Sequence, residues 1–227
     1  MGEQTNKISV GGSVGGSVVA GNHNVVGTAA LAEAGTPERP APAAGHTPRI
    51  GFVVDVVGFG RRSAADKDHV QLRLDTVVRQ VLADLGIGIG DTESTVAGDS
   101  KVVFLPVGAD SSGMLPGMIT SMSTRLRQDN ARHRDRLRLR MAVATGLLGQ
   151  EGPLGRTGEL IVDLHRLVDS APTRQAIDRH VGADLAILVS RTLHDEVIRP
   201  GFLDVTDFVR VDVEMKEFRA AAWLRVC

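Results

Sequence analysis

From Arg49 onward, apolar and polar positions fall in runs that predict a regular succession of elements. Ile50 to Val57, IGFVVDVV, is an apolar run broken by one aspartate, and it predicts a buried strand. Between Asp66 and Leu85, the residues Val70, Leu72, Leu74, Val77, Val78, Val81, Leu82 and Leu85 suit a helix packed on a sheet. Gly86, Gly88 and Gly90 end it. Lys101 to Val107 reads as a strand and Leu115 to Arg132 as a helix. Leu137, Leu139, Met141 and Val143 alternate, so Leu137 to Leu148 predicts a long strand, with a turn or hairpin tip at Gly149 to Gly155. Two helices follow, Leu160 to Val168 and Pro172 to His180, then a strand, Leu185 to Val189, and a short helix, Thr192 to Ile198. Phe208 to Val213 and Ala220 to Val226 read as a closing antiparallel pair. Mixed order with short connections predicts an α+β domain: one antiparallel-rich sheet with helices on one face. Strand, helix, one or more strands, helix and strand in its first half fit the ferredoxin-like order, β-α-β-β-α-β.

Ahead of this domain the composition changes twice. Residues 1–27 are Gly, Ser, Val and Asn with a rough two-residue alternation, and residues 28–48 are Ala- and Pro-rich. The second stretch buries too little apolar surface to offset chain entropy and reads as a linker. The predicted organisation is therefore 1–27, 28–48 and a folded domain at 49–227, with the N-terminal part a disordered tail.

Charge and composition narrow the partners. The formal net charge is −1, and aromatics are 3% with no Tyr. Neither a field for nucleic acid or an anionic membrane nor an aromatic series for stacking bases is present, so no nucleic-acid partner is expected. No stretch approaches about 18 consecutive apolar residues, so no membrane span is expected. Cys227 is the single cysteine, which points to a reducing compartment. Met1-Gly2-Glu3-Gln4 lacks the basic-then-apolar pattern of a secretion signal, so a cytoplasmic location is expected.

Two aspartates carry the candidate chemistry. Asp55 lies inside an apolar strand, where a carboxylate is costly without a partner or a metal. Directly after it, Gly58-Phe59-Gly60 is a turn of the kind that presents backbone N–H groups to phosphate. Asp99, in Gly98-Asp99-Ser100, sits at a turn leading into the strand KVVFL. If the two strands are neighbours, the carboxylates lie side by side, and two carboxylates with substrate phosphates make a site for Mg²⁺ or Mn²⁺. Read alone, Asp55 is equally a buried structural aspartate and Asp99 an ordinary turn residue.

The runs FVVDVVGF, GDSKVVFLP and LRLRMAVATG resemble the catalytic domains of class III adenylate and guanylate cyclases. GELIVDLHRLVDS at 158–170 and VRVDVEMKEFRAAAWLRV at 209–226 resemble a cyclase-like subgroup common in actinobacteria. The resemblance covers residues 49–227. It implies that Asp55 and Asp99, 44 positions apart, hold two metal ions, and that the substrate is a nucleoside triphosphate. It further implies a homodimer with composite sites, in which Arg166 of one chain serves the aspartates of the other. Lys216 falls where a family lysine contacts phosphate.

Two positions depart from the family pattern. The expected asparagine, four residues before the arginine, falls on Val162, or on Asp163 if the register slips by one. The lysine that purine cyclases place three residues before the Gly-Asp pair is Thr95. A cyclase for another base, a weak cyclase, or a catalytically inactive nucleotide-binding or dimerisation module is compatible with these changes.

Residues 6–26, NKISVGGSVGGSVVAGNHNVV, combine β-branched residues, low charge and no proline, which are steric-zipper properties. They resemble the RHIM-like amyloid signalling motifs of bacteria, most closely at Val18 to Asn24, with Ala20 where glutamine is usual. That resemblance implies a protein partner with a similar motif. A plain Gly-rich tail fits the composition as well.

Overall fold

The computed structural model describes residues 45–152, 155–215 and 217–227; the N-terminal segments 1–27 and 28–44 lie outside the described residues. A compact unit spans Gly45–Cys227. Its first half is β1 (Thr47–Val56), α1 (Ala64–Asp84), β2 (Glu93–Ala97), β3 (Ser100–Phe104), α2 (Ser111–Asn130) and β4 (Leu139–Leu148). A small hairpin follows, β5 (Glu151–Gly152) and β6 (Gly155–Arg156). Then come α3 (Glu159–Val168), α4 (Ala171–Arg179), β7 (Leu185–Ser190), the short α5 (Arg191–Leu193) running into a π-helical turn at His194–Ile198, β8 (Val209–Met215) and β9 (Phe218–Val226).

Seven strands form one sheet in the order β2-β3-β1-β4-β7-β9-β8. β1 is antiparallel to both β3 and β4, and the β4–β7 pair is parallel. The order β2-β3-β1-β4 with two crossing helices is the ferredoxin-like α+β arrangement that the sequence predicts. Local chemistry starts each crossing helix. The Ser63 hydroxyl accepts from the Asp66 N–H at the start of α1, and the Asp110 carboxylate accepts from the Gly113 N–H at 2.9 Å at the start of α2.

Helices cover both faces of the sheet, not one. Phe52, Val54 and Val56 pack with Val70, Val77 and Val81 of α1 and Met118 and Met122 of α2. On the opposite face Val53, Phe104 and Ala142 pack with Leu160, Leu164 and Leu167 of α3. The reason lies in β1 itself. Phe52, Val53 and Val54 are all fully buried, so this strand has apolar side chains on both sides and requires a cover on each. Gly51 fixes how close α3 comes. A Cβ there would stand 2.9 Å from Phe104 Cδ1 and 3.0 Å from Leu164 Cδ1, so the absent side chain is the space α3 occupies.

The second half extends the same sheet. His194 stacks on Trp223 of β9 with ring centroids 3.6 Å apart, which joins the π-helical turn to the closing hairpin. Arg138, near the start of β4, donates to the carbonyls of Ile177 and His180 and so holds the C-terminal end of α4.

Candidate active site

The sheet register brings the two aspartates together. Asp55, near the C-terminal end of β1, lies opposite Ser100 of β3, and the Val56 N–H donates to the Asp99 carbonyl at 3.1 Å. Asp99 follows Gly98, whose φ of 60° makes the tight β2–β3 turn. Strand alternation points Asp55 to the α3 face, like Val53, and the residue is buried.

On its other side Asp55 meets a residue that the sequence reading did not single out. Arg140 of β4 is its register partner and forms an ion pair with it. Burial pushes the Asp55 carboxyl up to about 6; Arg140 opposes this, and the charges of Asp99 and then Asp169 add to the rise. The linkage has a definite sign. From an ordinary value of 3.8, the folded chain retains on Asp55 a proton that the unfolded chain has already released. That contribution to stability is full below about pH 4 and is lost as pH rises through about 6. Urea unfolding of the metal-free chain between these limits should therefore show stability falling with pH, and a flatter dependence in Asp55→Asn. Equal slopes in the two proteins would show that Asp55 does not titrate in this window.

The glycine turn follows directly. Gly58 has φ 74° and caps a 3-10 turn at Phe59–Arg61, and a Cβ at Gly58 or Gly60 would meet nothing within 4 Å. The backbone here is therefore approachable. Gly58 lines a cavity of about 310 Å³ with Val57, Arg140, Arg174, Ile177 and Asp178. Arg61 is exposed, and Arg62 is paired with Asp135.

Arg166 is not brought to these aspartates within the chain. Its guanidinium lies 5.2 Å from the Phe218 ring, on the β9 flank of α3. The sheet row through Asp55 runs by way of Arg140 and Ala186 to Val226, eight positions along β9 from Phe218. Val162 on α3 is 43% exposed. The neighbouring Asp163 is half-buried, its carboxyl pushed up by burial and the Glu159 charge, with Arg166 opposing. Thr95 is exposed on the edge strand β2. On the same side of that strand Glu93 takes ion pairs from Arg49 at 2.7 Å and Arg156 at 2.6 Å. Lys216 lies outside the described residues.

Among the described residues no group of three or more His, Cys, Asp or Glu side chains is arranged to hold a metal ion. The donor set is the two-carboxylate kind that suits Mg²⁺ or Mn²⁺, which bind through one or two carboxylates and substrate phosphates. The local electrostatics agree. Asp55 is destabilised as an anion by burial and by Asp99, so the pair calls for positive charge, which Arg140 supplies in this structure.

No family model matches this chain, and no curated protein does. Solved structures do. The domain resembles an adenylate/guanylate cyclase/hydrolase from Silicibacter pomeroyi at 16% identity and a TM-score of 0.57, covering 81% of this chain and 99% of that one. It resembles the guanylyl cyclase Cya2 at 14% identity and a TM-score of 0.55, covering 80% and 91%. The guanylate cyclase domain of RhGC from Catenaria anguillulae, in complex with GTP, matches at 12% identity and 0.55, covering 80% and 96%. The folded part of the chain thus has the architecture of class III adenylate/guanylate cyclase catalytic domains. Its sequence is far from all three.

Proposed function

We propose that this protein is a divergent nucleotide cyclase that forms a 3′,5′-cyclic nucleotide from a nucleoside triphosphate in intracellular signalling or defence. The observation that carries the reading is the juxtaposition of Asp55 and Asp99, through adjacent strands, on a sheet with cyclase architecture. Asp55 and Asp99 are the residues that would hold Mg²⁺ or Mn²⁺, and such ions would supply charge neutralisation for the triphosphate and acidify the ribose 3′-hydroxyl.

The chain's own groups do the rest. The N–H groups of the Gly58-Phe59-Gly60 turn receive phosphate oxygens. Arg140 has donor capacity to spare, since its Nε is buried and makes no hydrogen bond, and its guanidinium would be available to phosphate once Asp55 were engaged by a cation. Arg166, directed away from Asp55 of its own chain, serves the site of a partner subunit in a homodimer. The 3′-hydroxyl attacks the α-phosphorus in line, and pyrophosphate leaves. Lys216 contacts phosphate.

A second reading rests on Val162, an exposed valine where an amide is expected. In it the domain binds nucleotide or dimerises without turnover, and residues 6–26 recruit a partner by β-stacking. One experiment separates the two. Purified full-length protein with ATP, GTP, CTP or UTP and Mn²⁺ is expected to yield a cyclic nucleotide and pyrophosphate from at least one of the four, resolved by mass spectrometry. Binding of triphosphate with no product from any of them selects the inactive module.

A further inference from the structure

Helix α4 lies between the two C-terminal segments that carry the cyclase resemblance and belongs to neither, yet it forms a wall of the cavity that Arg140, the partner of Asp55, also lines. We propose that Arg174 of α4 is a phosphate-binding residue, paired with Arg140 across that cavity, and that Asp169 holds it in place until the phosphate chain arrives. The proposal rests on the nucleotide-binding reading above and adds a binding group to it.

Three observations carry it. First, Arg140 and Arg174 line the same cavity of about 310 Å³ with Gly58, so two guanidinium-bearing residues and an approachable backbone turn share one space. Second, each guanidinium is held by a carboxylate. Arg140 pairs with Asp55, and Arg174 Nη2 donates to Asp169 Oδ1 at 2.8 Å. The Asp169 charge reaches Asp55, so the two pairs are electrostatic neighbours. An alternating array of this kind has no net pull on an anion. With cations on Asp55 and Asp99 the array would carry net positive charge and Arg140 would be free for the anion.

Third, α4 is fixed, which makes the location of Arg174 a property of the fold. Ser170 and Thr173 are fully buried at the α3–α4 junction, where their hydroxyls bond at 2.9 Å and Thr173 donates to the Leu167 carbonyl at 3.0 Å. Arg138 holds the other end. Arg174 itself is 56% exposed. Asp178, one turn along α4 on the same cavity wall, opposes triphosphate unless cations accompany it, so binding is expected to be metal-dependent.

The test uses the full chain and inorganic triphosphate with Mn²⁺, read by calorimetry, so that neither base recognition nor turnover enters. Arg174→Gln is expected to weaken binding roughly 10-fold, the loss of one charge-assisted hydrogen bond, with little change in melting temperature. Asp169→Asn is expected to act in the opposite direction and tighten binding, because it removes the carboxylate that competes for Arg174. A merely structural ion pair predicts the reverse pattern: both variants melt earlier and neither changes affinity. Unchanged affinity in Arg174→Gln, with normal binding by the wild type, overturns this proposal alone. A wild type that binds no triphosphate overturns it together with the catalytic reading.

Discussion

Asp55→Ala and Asp99→Ala are each expected to abolish the rise in melting temperature that Mn²⁺ with a non-hydrolysable nucleoside triphosphate gives the wild-type chain. A ligand that binds only the native state at 100 times its Kd stabilises it by about 2.7 kcal/mol, or roughly 5–10 °C for a domain of this size. Either variant removes one of the two carboxylates, and the remaining one cannot hold the ions against Arg140. The metal-free baselines should differ in an informative way. Asp55→Ala leaves the half-buried Arg140 guanidinium without its carboxylate and lowers the melting temperature. Asp99→Ala removes a charge that destabilises Asp55 and should leave the baseline level or higher. The reading is lost if both variants keep the full ligand-induced shift. Activity, where the wild type shows it, should fall below detection in both.

The ferredoxin-like half was legible because its buried elements advertise themselves. The run at β1, the spacing in α1 and the alternation at β4 leave few alternatives. What escaped was polar or depended on register. β2, with the sequence ESTVA, is an edge strand whose Ser94, Thr95 and Val96 face solvent, so no hydrophobic period marks it. The side of the sheet taken by α3 and α4 is set by topology, which periodicity does not report. Arg140 was hidden among its neighbours. Arg136, Arg138 and Arg140 alternate identically along the chain and differ only in what lies opposite. Arg136 meets Asp184, Arg138 caps α4, and Arg140 meets Asp55. Pairing register decides among them, and register is a long-range property. Lys101 shows the converse. It lies one residue beyond the row that contains Asp55 and is buried, but its ammonium turns to the other face and pairs with Asp75 of α1. Proximity in sequence to Asp99 gives it no place in the site.

Mixing two inactive variants is expected to restore activity. The geometry behind this is that Arg166 engages Phe218 on the β9 flank of α3 while Asp55 sits in the β1–β4 row, so one chain does not assemble both parts of the site. If α3 of one subunit completes the aspartate pair of another, Arg166→Ala destroys each site through the partner and Asp55→Ala destroys it from within. A homodimer of either variant then has two broken sites. A mixed dimer concentrates both lesions in one site and leaves the other intact. With random exchange half of the dimers are mixed, so activity should recover to about one quarter of the wild-type level from near zero, far above the sum of the two variants. The control is Asp55→Ala mixed with Asp99→Ala. Both lesions lie in the same half of the site, so each mixed dimer carries one defect in each of its sites and no recovery is expected. Recovery in the control as well as in the test would mean that activity returns through a route other than a shared site. Absence of recovery in the Arg166 and Asp55 mixture, once subunit exchange is confirmed by mass spectrometry of differently tagged chains, would place Arg166 outside the catalytic machinery. It would leave that residue as the cation over the Phe218 ring that the structure already shows.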